Sequence, residues 1–474
     1  MIVVSDVLFM LSRLVFTFLF FGLFILNFYS LCHGASSDIA LSAIGSEIKT
    51  KGSEVTTNGS EHSVSPFSFG GDIRFRISGL SEVPLEADRN NGSKITDSLF
   101  TRFRTRLWAQ YQINEKQKFK IRLTNEWRLY DQDRVNHTNP WKFPDEFIFD
   151  ELYLDSKDHF NGKLDLKIGR QFLYYGNGRI FIEPSPLDGS RTMFSNALKA
   201  GLKVQKKHNI DFLYFDNPSI DRLAIHSSDA KLVEYGEKGG GFYAKNNVNP
   251  TLPFEYYYIY KEEDREGADG RPVYLDTYGT RLLPRFSDTV DGNFELASQS
   301  GSQGSNNIGG SMVDAFVNWN FLPEHRHKPV FSGGYFYLSG DKTGTGNDES
   351  WHPVMSRCVN YSEFYLYALI NGAGGHNVGY WTNMNLLWCG IKYEPSVKTT
   401  VSVRYLKMKA DETDDATYPG LGDSIGDVIV SKLKHKINKN WFGQLNYEWF
   451  RPGDYYIDSM SIGHFMRAEI NYRF

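Results

Sequence analysis

The sequence predicts an all-β fold, a transmembrane antiparallel β-barrel of about 18 strands. Three observations carry this expectation. Strand-like segments recur at near-regular intervals from Phe67 onward, separated by clusters of Gly, Asn, Asp and Pro. Within them apolar and polar side chains alternate with period two, which places them on opposite faces of an extended chain. The links between segments alternate between short and long, as they do when tight periplasmic turns oppose long outer loops.

In chain order, strands are expected near 67–80, 99–113, 117–130, 145–157, 163–175, 191–205, 208–217, 241–248, 253–262, 271–285, 291–300, 311–321, 328–340, 378–394, 398–410, 425–437, 440–451 and 462–474. The alternation is weakest between 241 and 300. Links such as Glu115-Lys116 and Lys439-Asn440 contrast with Leu80–Ser98, Asp341–Asn377 and Asp411–Ser424. A soluble sandwich or propeller could use such strands but has no reason to alternate its connections so. In the last segment His464, Met466, Ala468, Ile470, Tyr472 and Phe474 oppose Phe465, Arg467, Glu469, Asn471 and Arg473. Ending on Phe474, the chain also resembles the C-terminal signal read by the machinery that assembles outer-membrane barrels.

Composition agrees with that class. The 474 residues include 28 Tyr, 35 Phe and 43 Gly, yet mean hydropathy is only -0.42. No stretch beyond the N-terminus resembles a spanning helix. The net charge of -4 averages faces that meet different solvents and decides nothing. Leu14 to Phe28 is an apolar run, preceded by Arg13 and followed by Cys32-His33-Gly34-Ala35, so residues 1–34 read as a secretory signal peptide. An uncleaved anchor, or a lipid on Cys32 after the bulky Leu31, are the alternatives, and each still implies export. Residues 35–66, rich in Ser, Gly, Thr and Glu, read as a flexible periplasmic lead-in to a barrel over 67–474. Cys358 and Cys389 could pair or remain two thiols.

The charged faces suggest what the lumen does. Ile73, Phe75 and Ile77 oppose Arg74 and Arg76; Phe103, Thr105 and Leu107 oppose Arg102, Arg104 and Arg106; Ile121, Leu123 and Trp127 oppose Arg122 and Arg128. An arginine on the lipid face near the midplane costs about 2–4 kcal/mol, so these side chains are expected in the lumen, with Arg404 and Arg467. Arginines in a pore favour anions, and a guanidinium grips a carboxylate through paired hydrogen bonds. They could equally do no more than pair with lumenal acids and stiffen the wall. Nucleic acid is not an expected partner, because the basic residues alternate along strands rather than cluster.

Several blocks resemble one family, the alginate-export outer-membrane porins. Ile168-Gly169-Arg170-Gln171, Tyr175-Gly176-Asn177-Gly178-Arg179 and Gly189-Ser190-Arg191-Thr192 are similar to its most recognisable segment. Leu338-Ser339-Gly340-Asp341, Trp351-His352-Pro353 and Ser362-Glu363-Phe364-Tyr365 follow in the same order, then Gly422-Asp423-Ser424-Ile425-Gly426, Tyr447-Glu448 and Pro452-Gly453-Asp454-Tyr455. The resemblance implies a monomeric eighteen-stranded barrel with an electropositive conduit, and passage of an acidic polysaccharide. It also implies that Arg170, Arg179 and Arg191 face the conduit. Arg170 shares parity with Leu166 and Ile168, so a bulge at Gly169 is expected to turn it inward.

Two other readings carry less. Gly422-Asp423-Ser424-Ile425-Gly426 fits G-x-S-x-G, but it sits before a strand, where a hydrolase needs a strand-to-helix elbow. His325-Arg326-His327 lacks a third metal ligand. The oxygen-rich run from Asp341 to Glu349 could hold Ca²⁺ in an outer loop, although its spacing is not that of an EF-hand; no other cofactor is expected. The chain is therefore read as a bacterial outer-membrane, anion-selective pore for an acidic, alginate-like polysaccharide, serving export and performing no reaction. An uptake porin for acidic oligosaccharides or small anions, a barrel-borne hydrolase and a structural barrel are the competing readings. Its other expected partners are outer-membrane lipid and the barrel-assembly machinery.

Overall fold

The computed structural model describes residues 66–83, 98–133, 141–183, 194–226, 232–233, 235–265, 271–356, 361–372, 381–413, 422–456 and 461–474. The expected signal peptide and nearly all of the lead-in lie outside these residues. The wall consists of Phe67–Ser81 (β1), Ser98–Asn114 (β2), Gln117–Asp133 (β3), Trp141–Asp158 (β4), Leu164–Gln171 (β5), Ser195–Gln205 (β6), His208–Asn217 (β7), Gly236–Asn246 (β8) and Phe254–Asp264 (β9). It continues with Val273–Leu282 (β10), Val290–Gln303 (β11), Ser311–Trp319 (β12), Val330–Leu338 (β13), Met384–Ser396 (β14), Thr399–Lys409 (β15), Ser424–Lys436 (β16), Trp441–Pro452 (β17) and Gly463–Arg473 (β18).

Each strand pairs antiparallel with its neighbour in the chain, and β1 pairs with β18, so the eighteen strands form a closed cylinder. Closure removes the sheet edges that lipid could not solvate. At the seam Arg76 faces Glu469 and Asp72 faces Arg473. The ladder ends in two bonds between Gly71 and Phe474, 3.0 Å for Gly71 N–H to Phe474 O and 3.1 Å for the return. No described helix is long and apolar enough to cross a membrane.

The expected strands are all present, and the differences at their ends have local causes. β8 begins at Gly236, ahead of the alternation that first shows at 241, because Gly239-Gly240-Gly241 has no side chains to alternate. These glycines are spatially required: a Cβ on Gly239 would lie 2.1 Å from the Tyr260 carbonyl oxygen. β5 stops at Gln171, short of the expected 175, because the chain there leaves the wall.

The register fixes the two faces. Arg104 lies between Arg74 and Glu126, while Leu107 lies between Gly71 and Leu123. Leu107, Leu296, Leu387 and Leu445 are half-exposed or more on the outward parity, where lipid would cover them. Ile73, Phe75, Leu123, Tyr447 and Ile470 share it through their ladder partners. The short links 115–116, 159–163, 206–207, 247–253, 283–289, 320–329, 397–398 and 437–440 lie at one end, with Phe474. The other nine links, among them the five longest, lie at the other and are called the long links.

Candidate functional site: the lumen and its inserted loops

Inward side chains on β1–β3 form a dense ionic wall. Arg74 meets Glu126 at 3.2 Å, Arg76 meets Glu469 at 2.7 Å and Arg106 meets Asp72 at 2.7 Å. Arg104 reaches Asp72 at 3.4 Å, and Arg102 and Arg128 approach Glu126 at 4.0 and 3.9 Å. Arg122 is held by Asp150 at 2.8 Å and by Glu151 at 3.4 Å. The seven guanidinium groups thus face inward and are engaged with wall carboxylates.

Two long links fold into the cylinder. After Gln171 the chain turns in, with Tyr175 stacked on Tyr243 at 4.5 Å and its hydroxyl donating to Asp211 at 2.8 Å. After β13, residues 351–356 and 361–372 lie inside, the latter forming a helix, Glu363–Gly372 (α1). The loops are joined to each other: Met355–Ser356 pairs in parallel with Phe181–Glu183, and Met355 N–H donates to Ile180 O at 2.9 Å.

Asp314 on β12 ties both loops to the wall. One of its oxygens accepts from Arg179 Nε at 2.7 Å and the other from the Tyr361 hydroxyl at 3.1 Å. The Arg179 guanidinium also lies over the rings of Tyr361 and Phe336, at 4.6 and 4.9 Å. Burial and then the Asp314 carboxylate push the Tyr361 phenol up, so it stays a donor. Gln299 grips the second loop through the His352 backbone, donating to its carbonyl at 2.6 Å and accepting from its N–H at 2.9 Å.

The start of α1 is capped by the wall. Glu448 on β17 accepts from Ser362 Oγ at 2.6 Å and from the N–H groups of Glu363 and Phe364 at 3.0 and 3.1 Å. A carboxylate at a helix N-terminus satisfies donors that have no partner within the helix. Phe364 stacks on Phe450 at 5.0 Å, and Glu363 pairs with Arg467 at 2.8 Å. Burial opposes the Glu363 charge, but Arg467, Lys432 and Arg76 outweigh it and bring the carboxyl down to about 2.

Beside the loops lies a cavity of about 720 Å³, lined by β11–β16 and roofed by Tyr174, Asn177, Arg179 and Tyr361. Lys392, Arg404, Lys432 and Lys434 point into it, and Asp291 is the single acid among its lining residues. Arg404 lies over Trp388 at 4.8 Å and Tyr361 at 5.6 Å. None of these four cations forms an ion pair with a carboxylate among the described residues. They contrast with the occupied arginines across the lumen.

The expected conduit arginines therefore separate into groups. Arg404 is available, Arg179 forms part of the roof, and Arg467 anchors α1. Arg170 is spent on Asp221 at 2.8 Å, Asn196 at 2.8 Å and the Phe149 carbonyl at 3.1 Å. The expected bulge is absent there: Leu154–Ile168, Tyr153–Gly169 and Leu152–Arg170 pair without a register shift, although Gly169 has φ 118°. Arg191 lies outside the described residues. Lys392, Lys432 and Lys434 were not singled out, although Lys432, Lys434 and Lys436 alternate with Ser431, Leu433 and His435 as plainly as any arginine run.

The run from Asp341 to Glu349 is held by its own side chains: Asp341 accepts the Glu349 N–H at 3.2 Å, and Glu349 accepts from Thr345 Oγ at 3.2 Å. No group of three or more His, Cys, Asp or Glu able to hold a metal occurs among the described residues. Cys389 is a free thiol on the outward face of β14, and Cys358 lies outside the described residues.

A closed eighteen-stranded antiparallel cylinder with a lipid-compatible exterior and loops folded into a charged lumen defines a pore of the bacterial outer membrane, a porin. Residues 65–460 match the alginate export family, and the chain belongs to it. Among solved structures it is similar to OccK3 (OpdO) of Pseudomonas aeruginosa, with 11% identity over 86% of this chain and 95% of that one and a TM-score of 0.52. It is also similar to the outer-membrane protein OprD of Pseudomonas aeruginosa, with 12% identity over 87% and 94% and a TM-score of 0.51. OccAB4 of Acinetobacter baumannii matches with 10% identity over 86% and 98% and a TM-score of 0.52. At these identities the likeness is one of fold. No curated protein matches significantly.

Proposed function

We propose that this porin is an anion-selective pore passing an acidic, alginate-like polysaccharide outward, without catalysing a reaction. The observation that carries the reading is the cavity lined by Lys392, Arg404, Lys432 and Lys434, none of which forms an ion pair with a carboxylate among the described residues, and by Asp291 as its one lining acid. A low-dielectric wall focuses such a field and raises the local concentration of anions. Arg404, 4.8 Å from the Trp388 ring centre, brings to the cavity a guanidinium suited to pairing with a sugar carboxylate. Membership of the alginate export family supports a polyuronate as cargo and export as direction.

The test is a reversal-potential measurement on single pores in a salt gradient, with alginate oligomers as blockers. Wild type is expected to prefer anions and to be blocked by alginate but poorly by neutral dextrin. Arg404→Glu with Lys432→Glu should invert the preference and abolish the block. A cation-preferring wild type, or equal block by both polymers, refutes the reading.

A further inference from the structure

The two sets of links carry opposite net charge in the sequence. The eight short links contain nine Lys and Arg against three acids, whereas the long links contain 22 acids against 11 Lys and Arg. Overall net charge conceals this, because the chain as a whole is at -4.

Three of the short links lie beside the cavity and carry Arg326, Lys328, Lys398 and Lys439 against the single acid Glu324. The links 320–329, 397–398 and 437–440 join β12–β13, β14–β15 and β16–β17, and the first five of these strands supply cavity wall. They are contiguous: Glu394 N–H donates to His327 O at 2.7 Å, and Lys436 N–H donates to Lys398 O at 2.8 Å. Lys328, Lys398 and Lys439 sit on these links, and Lys436 at the end of β16. None of the four forms an ion pair with a carboxylate among the described residues; Lys398 Nζ reaches only the Ile437 carbonyl, at 3.5 Å.

From the rim the charges continue inward without a break. Lys436, Lys434 and Lys432 occupy every second position on one face of β16, so each is displaced from the last by about 6.7 Å. Lys434 faces the cavity with Lys392, and Lys432 leads on to Arg404 beneath the inserted loops. A rim without the lysines inside could suit many acidic partners. A rim continuous with a row of unpaired cations suits a thin acidic chain that threads.

We propose that the short-turn rim formed by Lys328, Lys398, Lys436 and Lys439 is a capture surface for the free end of an acidic polysaccharide, the contact that precedes entry into the cavity. This rests on the function proposed above and adds a place and a direction of entry. The acidic balance of the long links predicts that capture is one-sided.

Pores inserted in one orientation into planar bilayers, with alginate oligomers added to either side, test it. Block is expected at about tenfold lower polymer concentration from the short-turn side, and the difference should vanish in 1 M salt, where the screening length is about 3 Å. The exposed-turn variant Lys398→Glu with Lys439→Glu should remove the side-to-side difference while the pore still prefers small anions. Equal block from both sides of wild type, or an undiminished difference in the variant, overturns the capture surface and leaves the proposed function standing. Block from neither side fails both. Polyglutamate of matched charge supplies the remaining comparison: one-sided block by it but not by alginate would assign the rim to an acidic protein and overturn the polysaccharide reading.

Discussion

The Glu448 carboxylate, on the inward face of β17, accepts the hydroxyl of Ser362 at 2.6 Å and so fixes the first turn of α1 inside the barrel. The same group also takes two backbone N–H donors, which makes it the principal polar tether of the second inserted loop. Glu448→Ala should release α1 at a cost of about 1.5–3 kcal/mol, the usual range for hydrogen bonds to a charged group. Single-pore conductance should rise and become noisy, with Glu448→Gln intermediate. An unchanged, quiet conductance would mean that α1 is held by packing alone.

The second tether, Glu363 with Arg467, predicts a pH dependence. The folded-state carboxyl is depressed to about 2, despite burial, by Arg467, Lys432 and Arg76, against roughly 4.3 for a free glutamate. Its stabilising contribution is therefore complete above the free value and is lost as pH falls through the folded one. Conductance should be flat from pH 7 to 5 and rise between about pH 4 and 2. Glu363→Gln should show the low-pH conductance already at pH 7.

The ionic wall on β1–β3 should behave as structure. Arg122 covers the fully buried Asp150, which Thr124 also bonds at 2.6 Å. Removing one partner of a buried pair strands the other, so Arg122→Ala should destabilise the barrel by about 3–5 kcal/mol. Denaturant unfolding in detergent reads this directly. Anion preference should change far less than in the Arg404 and Lys432 reversal.

Topology can be read from a native thiol. Cys389 lies on the outward face of β14, between Leu387 and Ile391 on the same parity. In a Cys358→Ser background a lipid-soluble maleimide should label Cys389 in membranes, and a charged, impermeant one should not. Lys434→Cys in a cysteine-free chain should react with the impermeant reagent through the lumen. The reverse pattern would invert the assigned faces.

Much of the wall was legible because lipid outside and water inside impose a period-two pattern that no other constraint erases. β15 shows the signal well, with outward Val403 and Tyr405 flanking inward Arg404. The Gly-rich start of β8 escaped it, since a residue without a side chain has no parity to read. The site was legible only in part. Tyr175 to Arg179, Trp351 to Pro353 and Ser362 to Tyr365 are family-like blocks, but the meeting of Arg179 and Tyr361 in the lumen depends on Asp314, far from either in sequence. Likewise, nothing local distinguishes Arg104, which is engaged by Asp72, from Arg404, which is not. Lys432 and Lys434 alternate just as clearly, but alternation alone does not tell a paired cation from an unpaired one.

The seam between β1 and β18 has a consequence for biogenesis. The last strand is the partner of the first, so the cylinder has an open, unpaired flank until the final residues arrive. At Gly71 an added Cβ would lie 2.6 Å from the Phe474 ring and 2.5 Å from the Arg106 carbonyl oxygen, so the join leaves no room there for a side chain. The molecule is in this sense a zipper closed by β18: seventeen correctly paired strands still make a sheet, and only the eighteenth makes a pore.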